Sequence, residues 1–128
     1  MNFTENEYLI PIFLGRSSEN KKAAAKVLTL TGIKAHFFAP RFSLIERLRY
    51  HCHPVVPFRG CWLAESLICF ADSAEEFYSP VILLCDAFAR DFIKEYGDAV
   101  ESLFVAMEIE DFLKEDGLAV GKEARSFK

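Results

Sequence analysis

Two segments of this chain have no polar positions to give to water. Leu9-Ile10-Pro11-Ile12-Phe13-Leu14, entered through Tyr8, and Val81-Ile82-Leu83-Leu84-Cys85 are apolar at every position. Each predicts a strand buried on both faces, the kind found at the centre of a parallel sheet. Around them the pattern changes to spacings of three and four. Gly15 permits a tight exit from the first segment, and Arg16-Ser17-Ser18-Glu19-Asn20 forms a polar turn. Residues 21–28 then predict a helix, with Ala24, Val27, Leu28 and Thr31 on one side and Gly32 as its C-terminal stop.

The same alternation continues. Residues 33–39 read as a strand ended by Pro40, completing a β-α-β unit. Residues 41–50 predict a second amphipathic helix starting at Ser43, with Leu44, Ile45 and Leu48 on its apolar side and Arg41, Glu46, Arg47 and Arg49 elsewhere. Residues 53–58, bracketed by prolines, suit a peripheral strand. A third helix is expected over 62–76, carrying Leu63, Leu67, Ile68 and Phe70. After the second apolar strand, Phe88, Phe92, Ile93, Tyr96, Val100 and Leu103 mark a long fourth helix, with Gly97 a candidate break. Residues 103–107 predict a fifth strand, and 109–113 a short helix. Parallel neighbours need crossovers, so the expected fold is α/β: a three-layer Rossmann-like domain with a parallel sheet of four to five strands flanked by helices. The two most apolar strands should be its central neighbours. Residues 1–128 read as one domain, with an acidic N-terminal tail over 1–7 and a C-terminal tail over 114–128.

Composition narrows the partners. Apolar residues make up 52% of the chain and 13 are Phe, which predicts a dense aromatic core or a partner-facing patch. Phe3, Phe112 and Phe127 lie in the polar ends and are the candidates for a partner. A net charge of -4, with acids gathered after Asp72, argues against nucleic acid, whose phosphates need a basic face. The first residues lack the pattern of a secretory signal, and charges interrupt every apolar run before membrane-spanning length. The expectation is a soluble, cytoplasmic protein that does not use a membrane. Cys52, Cys61, Cys69 and Cys85 have no framework spacing and read as small hydrophobes in a reducing compartment.

In open parallel sheets ligands lie beyond the carboxyl ends of the strands, where strand order reverses. That rule brings Gly15, Arg16, Ser17 and Ser18 to face Cys85-Asp86-Ala87. The first loop can offer helix amides to an anion, with Arg16 beside them. Equally, Ser17, Ser18 or Asn20 can simply cap the helix. One glycine and no Walker lysine exclude both a dinucleotide fingerprint and a P-loop. Asp86 can hold a polar ligand group or cap the fourth helix, and the roles can coexist. For a small acid, Arg16 is the best single contact, because its planar fork matches a carboxylate. His51-Cys52-His53 with Cys61 departs from zinc-ligand spacing, so a histidine pair on a peripheral strand is the simpler reading and no metal is expected. No nucleophile with an adjacent base is legible, and Cys85 reads as core. The residues by themselves identify no reaction.

Over most of its length the chain resembles the N-terminal, pre-ATP-grasp domain of ATP-grasp carboxylate-amine ligases, most like the amino-acid ligase branch. The residues that carry this are Leu9-Ile10-Pro11-Ile12-Phe13-Leu14-Gly15 with the helix closing on Gly32-Ile33-Lys34. They are followed by Pro80-Val81-Ile82-Leu83-Leu84-Cys85-Asp86 with Phe92-Ile93-Lys94-Glu95 and Leu103-Phe104-Val105. Residues 121–127 look like the lysine-containing start of the family's central region. The chain differs in having Ser17 where the family's loop commonly has an acid, and Ala25 where its helix has an arginine. The resemblance implies a substrate-side domain, not catalytic alone, and the switch-point loops supply its candidate substrate-binding residues, Gly15, Arg16, Ser17, Ser18, Asn20 and Asp86. It implies no cofactor in this chain, the ATP and magnesium sites belonging to an ATP-grasp region in cis or in trans. Partners would be a small carboxylate or amino acid, that region, and a second copy as a homodimer. The alternative is a stand-alone small-molecule-binding or protein-interaction module that has lost ligase chemistry.

Overall fold

The computed structural model describes residues 8–73 and 78–116. The chain alternates strand and helix throughout: β1 (Tyr8–Leu14), α1 (Ser18–Thr31), β2 (His36–Ala39), α2 (Leu44–Arg49), β3 (His51–Pro54), α3 (Gly60–Ser73), β4 (Tyr78–Leu84), α4 (Ala87–Val100), β5 (Val105–Glu108) and α5 (Ile109–Asp111), which runs into a π-turn over Phe112–Asp116. The five strands form one parallel sheet in the order β3-β2-β1-β4-β5. The fold is the expected Rossmann-like three-layer α/β arrangement. β1 and β4 are the central neighbours, in register from Tyr8 opposite Tyr78 to Ile12 opposite Ile82. Their side chains alternate between two cores, as the pleat requires. Ile12, Leu14 and Ile82 pack under α3 and α4 with Phe38, Leu63 and Phe92. Phe13, Val81 and Leu83 pack under α1 with Ala24, Val27 and Phe37.

The ends of the elements differ from the periodicity in instructive ways. α1 begins at Ser18, earlier than the lysines, because Ser17 caps it, and Gly32 closes it in the left-handed region at φ 76°. Leu28 is exposed, and Asn20 and Ala23 join Ala24, Val27 and Thr31 on the buried side. β3 spans residues 51–54 rather than 53–58, since its pairing follows β2 from His36 opposite His51 to Ala39 opposite Pro54. It is nonetheless the peripheral strand expected. α3 starts at Gly60, and Gly97 does not interrupt α4, which continues to Val100. Phe112, expected to face a partner, is fully buried against Leu9, Phe13 and Phe37. Its place in a polar segment misled because α5 folds back onto the sheet. Phe3 and Phe127 lie outside the described residues.

The largest departure is α2, whose apolar side faces water. Leu44, Ile45 and Leu48 are 73%, 60% and 72% exposed, while Glu46 is 6% exposed.

Gly60 starts α3 against α4 so closely that an added methyl would land within the Tyr96 ring. Its φ is not positive, so the constraint is packing alone. Gly60→Ala should cost about 1–3 kcal/mol in urea unfolding, as overpacking does. On a Tyr96→Ala background the same substitution should be near neutral; an equal cost there would place the constraint in the backbone.

Candidate functional site

Continuing the β1–β4 register past Ile12 and Ile82 sets Gly15 level with Cys85 and Arg16 level with Asp86. β1 leads on to β2 on one side and β4 to β5 on the other, so this is where strand order reverses. Both expected loops thus leave the sheet together at its carboxyl end. Gly15 turns at φ 89°, where a side chain would be strained, and donates its N–H to the Phe38 carbonyl at 2.7 Å. Ser17 is the cap of α1, its Oγ accepting from the Asn20 N–H at 3.1 Å, and Ser18 is the first helical residue. Asn20 is fully buried, and its Nδ2 donates to the Leu14 and Gly15 carbonyls at 2.9 and 3.1 Å. Its Oδ1 is buried without a hydrogen-bond partner, which for a polar atom costs free energy until a donor reaches it. Asp86 caps α4 through Oδ1, accepting from the Ala89 N–H at 3.0 Å. Of the two open roles for Asp86, capping is the one the geometry displays.

Arg16 is held from an unexpected quarter. Its Nε donates to both carboxylate oxygens of Glu46 at 2.9 and 3.1 Å, its Nη2 lies 2.8 Å from Oε1, and Lys21 Nζ lies 2.8 Å from Oε2. The Ser43 N–H donates to Glu46 Oε1 at 2.7 Å, and Ser43 Oγ accepts from the Glu46 N–H. Burial alone would raise the Glu46 pKa, but these hydrogen bonds and the Lys21 charge hold it down at about 2. The switch-point loop therefore faces a resident carboxylate, and an incoming acid must share Arg16 with it. Residue spacing contained a signal for Glu46: Ser43-Leu44-Ile45-Glu46 has the capping-box pattern. The helical periodicity, which sets Glu46 opposite Leu44, Ile45 and Leu48, points the other way.

The other polar cluster lies at the sheet's β3 edge. Its histidines are His36, His51 and His53. His51 and His53 do share one side of β3, and β2 adds His36, whose Nδ1 sits 2.9 Å from His53 Nε2. The rings stack, His36 on His51 at 4.3 Å and His53 on Phe38 at 4.4 Å between centroids, with Phe70 of α3 packed across them. A neutral pair sharing one proton satisfies this contact. Burial pushes the His36 pKa down to about 3, helped by the charges His51 and His53 would carry; burial likewise lowers those two. Beside the stack a groove of about 670 Å³ is lined by His53, Trp62, Glu65, Ser66, Cys69 and Phe70 among others. Among the described residues no group of three or more His, Cys, Asp or Glu is arranged to hold a metal. Cys85, at the end of β4, has its thiol pushed up to about 12 by burial and then by Asp86 and Glu110, so it is no nucleophile near neutrality.

Compared with known protein families, curated proteins and solved structures, the chain matches none. Among the described residues no helix is long and apolar enough to cross a membrane.

The histidine stack makes stability pH-dependent. His36, its folded pKa held below the ordinary 6.5, contributes stability that is complete above 6.5 and is lost as pH falls toward about 3, and His51 and His53, also lowered by burial, act in the same direction. The Glu46 contribution is complete above 4.5 and is lost only toward about 2. Between 6.5 and 4.5 the histidines dominate. Urea unfolding should show stability falling from about pH 7 to about pH 5, and His36→Phe should flatten that slope. An unchanged slope in the variant would remove His36 as its source.

Proposed function

We propose that this chain is a binding domain that holds a small carboxylate or amino acid between the loops after β1 and β4. In this reading it is the substrate side of an ATP-grasp-type carboxylate-amine ligase, with phosphoryl transfer supplied by another segment. The observation that supports it is the adjacency of β1 and β4, which opens both loops at one switch point. A ligand carboxylate would take the free amides at the start of α1 and the outer donors of Arg16, whose side chain is 33% exposed. An ammonium would take the Asp86 oxygen that does not cap α4. The residues here do not fit nucleotide phosphates: the loop has Gly15 alone, and Lys21 is paired with Glu46.

One observation favours the second reading, a stand-alone module without ligase chemistry. Glu46 already pairs with both Arg16 and Lys21, so a resident carboxylate engages the cations an incoming acid would use.

A thermal-shift screen of amino acids, small carboxylates and magnesium-ATP separates the first reading from a protein-interaction module, since a ligand for the folded state raises its melting temperature. The first reading predicts a shift with an amino acid or carboxylate and none with magnesium-ATP. Arg16→Ala would also strand the buried Glu46, so Arg16→Lys is the better probe: it keeps the ion pair but loses the planar fork. It should abolish the ligand shift while the unliganded melting temperature moves little. No shift with any compound supports the module, and a magnesium-ATP shift contradicts both.

A further inference from the structure

The two edges of the sheet differ in charge: arginines predominate beside β3, and acids outnumber Arg90 and Lys114 beside β5. Among the described residues β3 is bonded to β2 alone and β5 to β4 alone, and both strands are four residues long. Beside β3, α2 turns Leu44, Ile45 and Leu48 outward. The acid of that helix, Glu46, is folded beneath, so the charges on show are those of Arg41, Arg47 and Arg49. All three are exposed, and none forms an ion pair among the described residues. Beside β5, Leu103 and Val105 are 37% and 55% exposed, framed by Glu101, Glu110 and Asp111, which are also exposed.

The edges also match in depth. Phe42 and Tyr50, which flank α2, pack into the same core as Ile109, Phe112 and Leu113 around α5. α2 and α5 therefore belong to the same layer of the domain, one at each edge. If a second copy continues the sheet in the same direction, its α5 meets α2 of the first.

We infer that these edges are the two halves of one interface, by which the β3–α2 edge of one copy docks on the β5–α5 edge of another. Leucine and isoleucine then meet valine and leucine, and arginine forks meet carboxylates. The strands stay parallel across the junction, as they are within each copy. Because different patches meet, the contact is heterologous and leaves a free edge at each end. Arginine rather than lysine on the basic side suits bidentate recognition of carboxylates. A net charge of -4, with acids on the opposite edge, disfavours an anionic membrane as the occupant.

Sedimentation velocity of the full chain tests this. Species larger than the monomer should grow with concentration and weaken with added salt. Arg47→Glu with Leu48→Glu, and separately Glu110→Lys with Asp111→Lys, should each weaken self-association by at least about tenfold. All four sites are exposed, so melting temperatures should stay near that of the parent chain. Mixing the two variants should restore a one-to-one dimer through their intact halves. Monomer at every concentration would overturn the inference. So would a dimer that survives Glu110→Lys with Asp111→Lys, which would indicate a symmetric α2 contact, or a monomeric chain that co-sediments with phosphatidylserine vesicles. If a variant melts early, Leu44→Gln and Leu103→Gln replace the charge reversals, with the same expected loss.

Discussion

The fold depends on two apolar strands, β1 and β4, that lie against each other and are buried on both sides over Ile12–Leu14 and Val81–Leu83. Burying one large aliphatic or aromatic side chain is worth about 1.5–3 kcal/mol, and β1 and β4 together bury Ile12, Phe13, Leu14, Val81, Ile82 and Leu83 almost completely. No arrangement with a solvent-facing side could compete with that. Helices must therefore cover both faces, the connections must cross over, and the chain must grow outward from the central pair in both directions. The switch point and the two loops that open there follow from the same requirement. β2, β3 and β5 are only four residues long and fix their places by pairing onto this pair.

A second organising force is electrostatic. Burying a carboxylate costs several kcal/mol unless it is paired and fully hydrogen-bonded. Glu46 meets Arg16, Lys21 and the Ser43 amide. A helix of six residues has little apolar area with which to choose its own orientation. The carboxylate chooses it instead, tying α2 to the loop after β1 and turning Leu44, Ile45 and Leu48 to the outside. One side chain thus shapes the candidate ligand loop and creates the exposed edge.

The central architecture was legible in the sequence because wholly apolar segments and glycine stops have few alternative readings. β1, β4 and the Gly32 stop followed directly, as did Ser17 or its neighbours as caps. Asp86 is open between cap and ligand in the sequence, and the cap rule gives the start of α4; its periodicity holds for Phe92, Ile93, Tyr96 and Val100, while Phe88 is 42% exposed and Leu103 lies beyond the helix end. The orientation of α2 is not legible in the sequence, because hydrophobic spacing shows which residues share a side, not which way that side faces; the distant partners Arg16 and Lys21 decide it. His36 escaped for a related reason. Its neighbours His51 and His53 are cross-strand contacts, invisible to local spacing. Phe112 was misplaced because a polar segment can still deliver one aromatic ring to the core when it folds back.

In the proposed reading the loops after β1 and β4 form a single site. Amide NMR during titration of the chain with the standard amino acids tests it most directly. The amides of residues 15–18 and 86–89 should shift together and saturate at the same ligand concentration. Shifts confined to Ser66, Cys69 and the groove beside the histidines, with both loops unmoved, would contradict it.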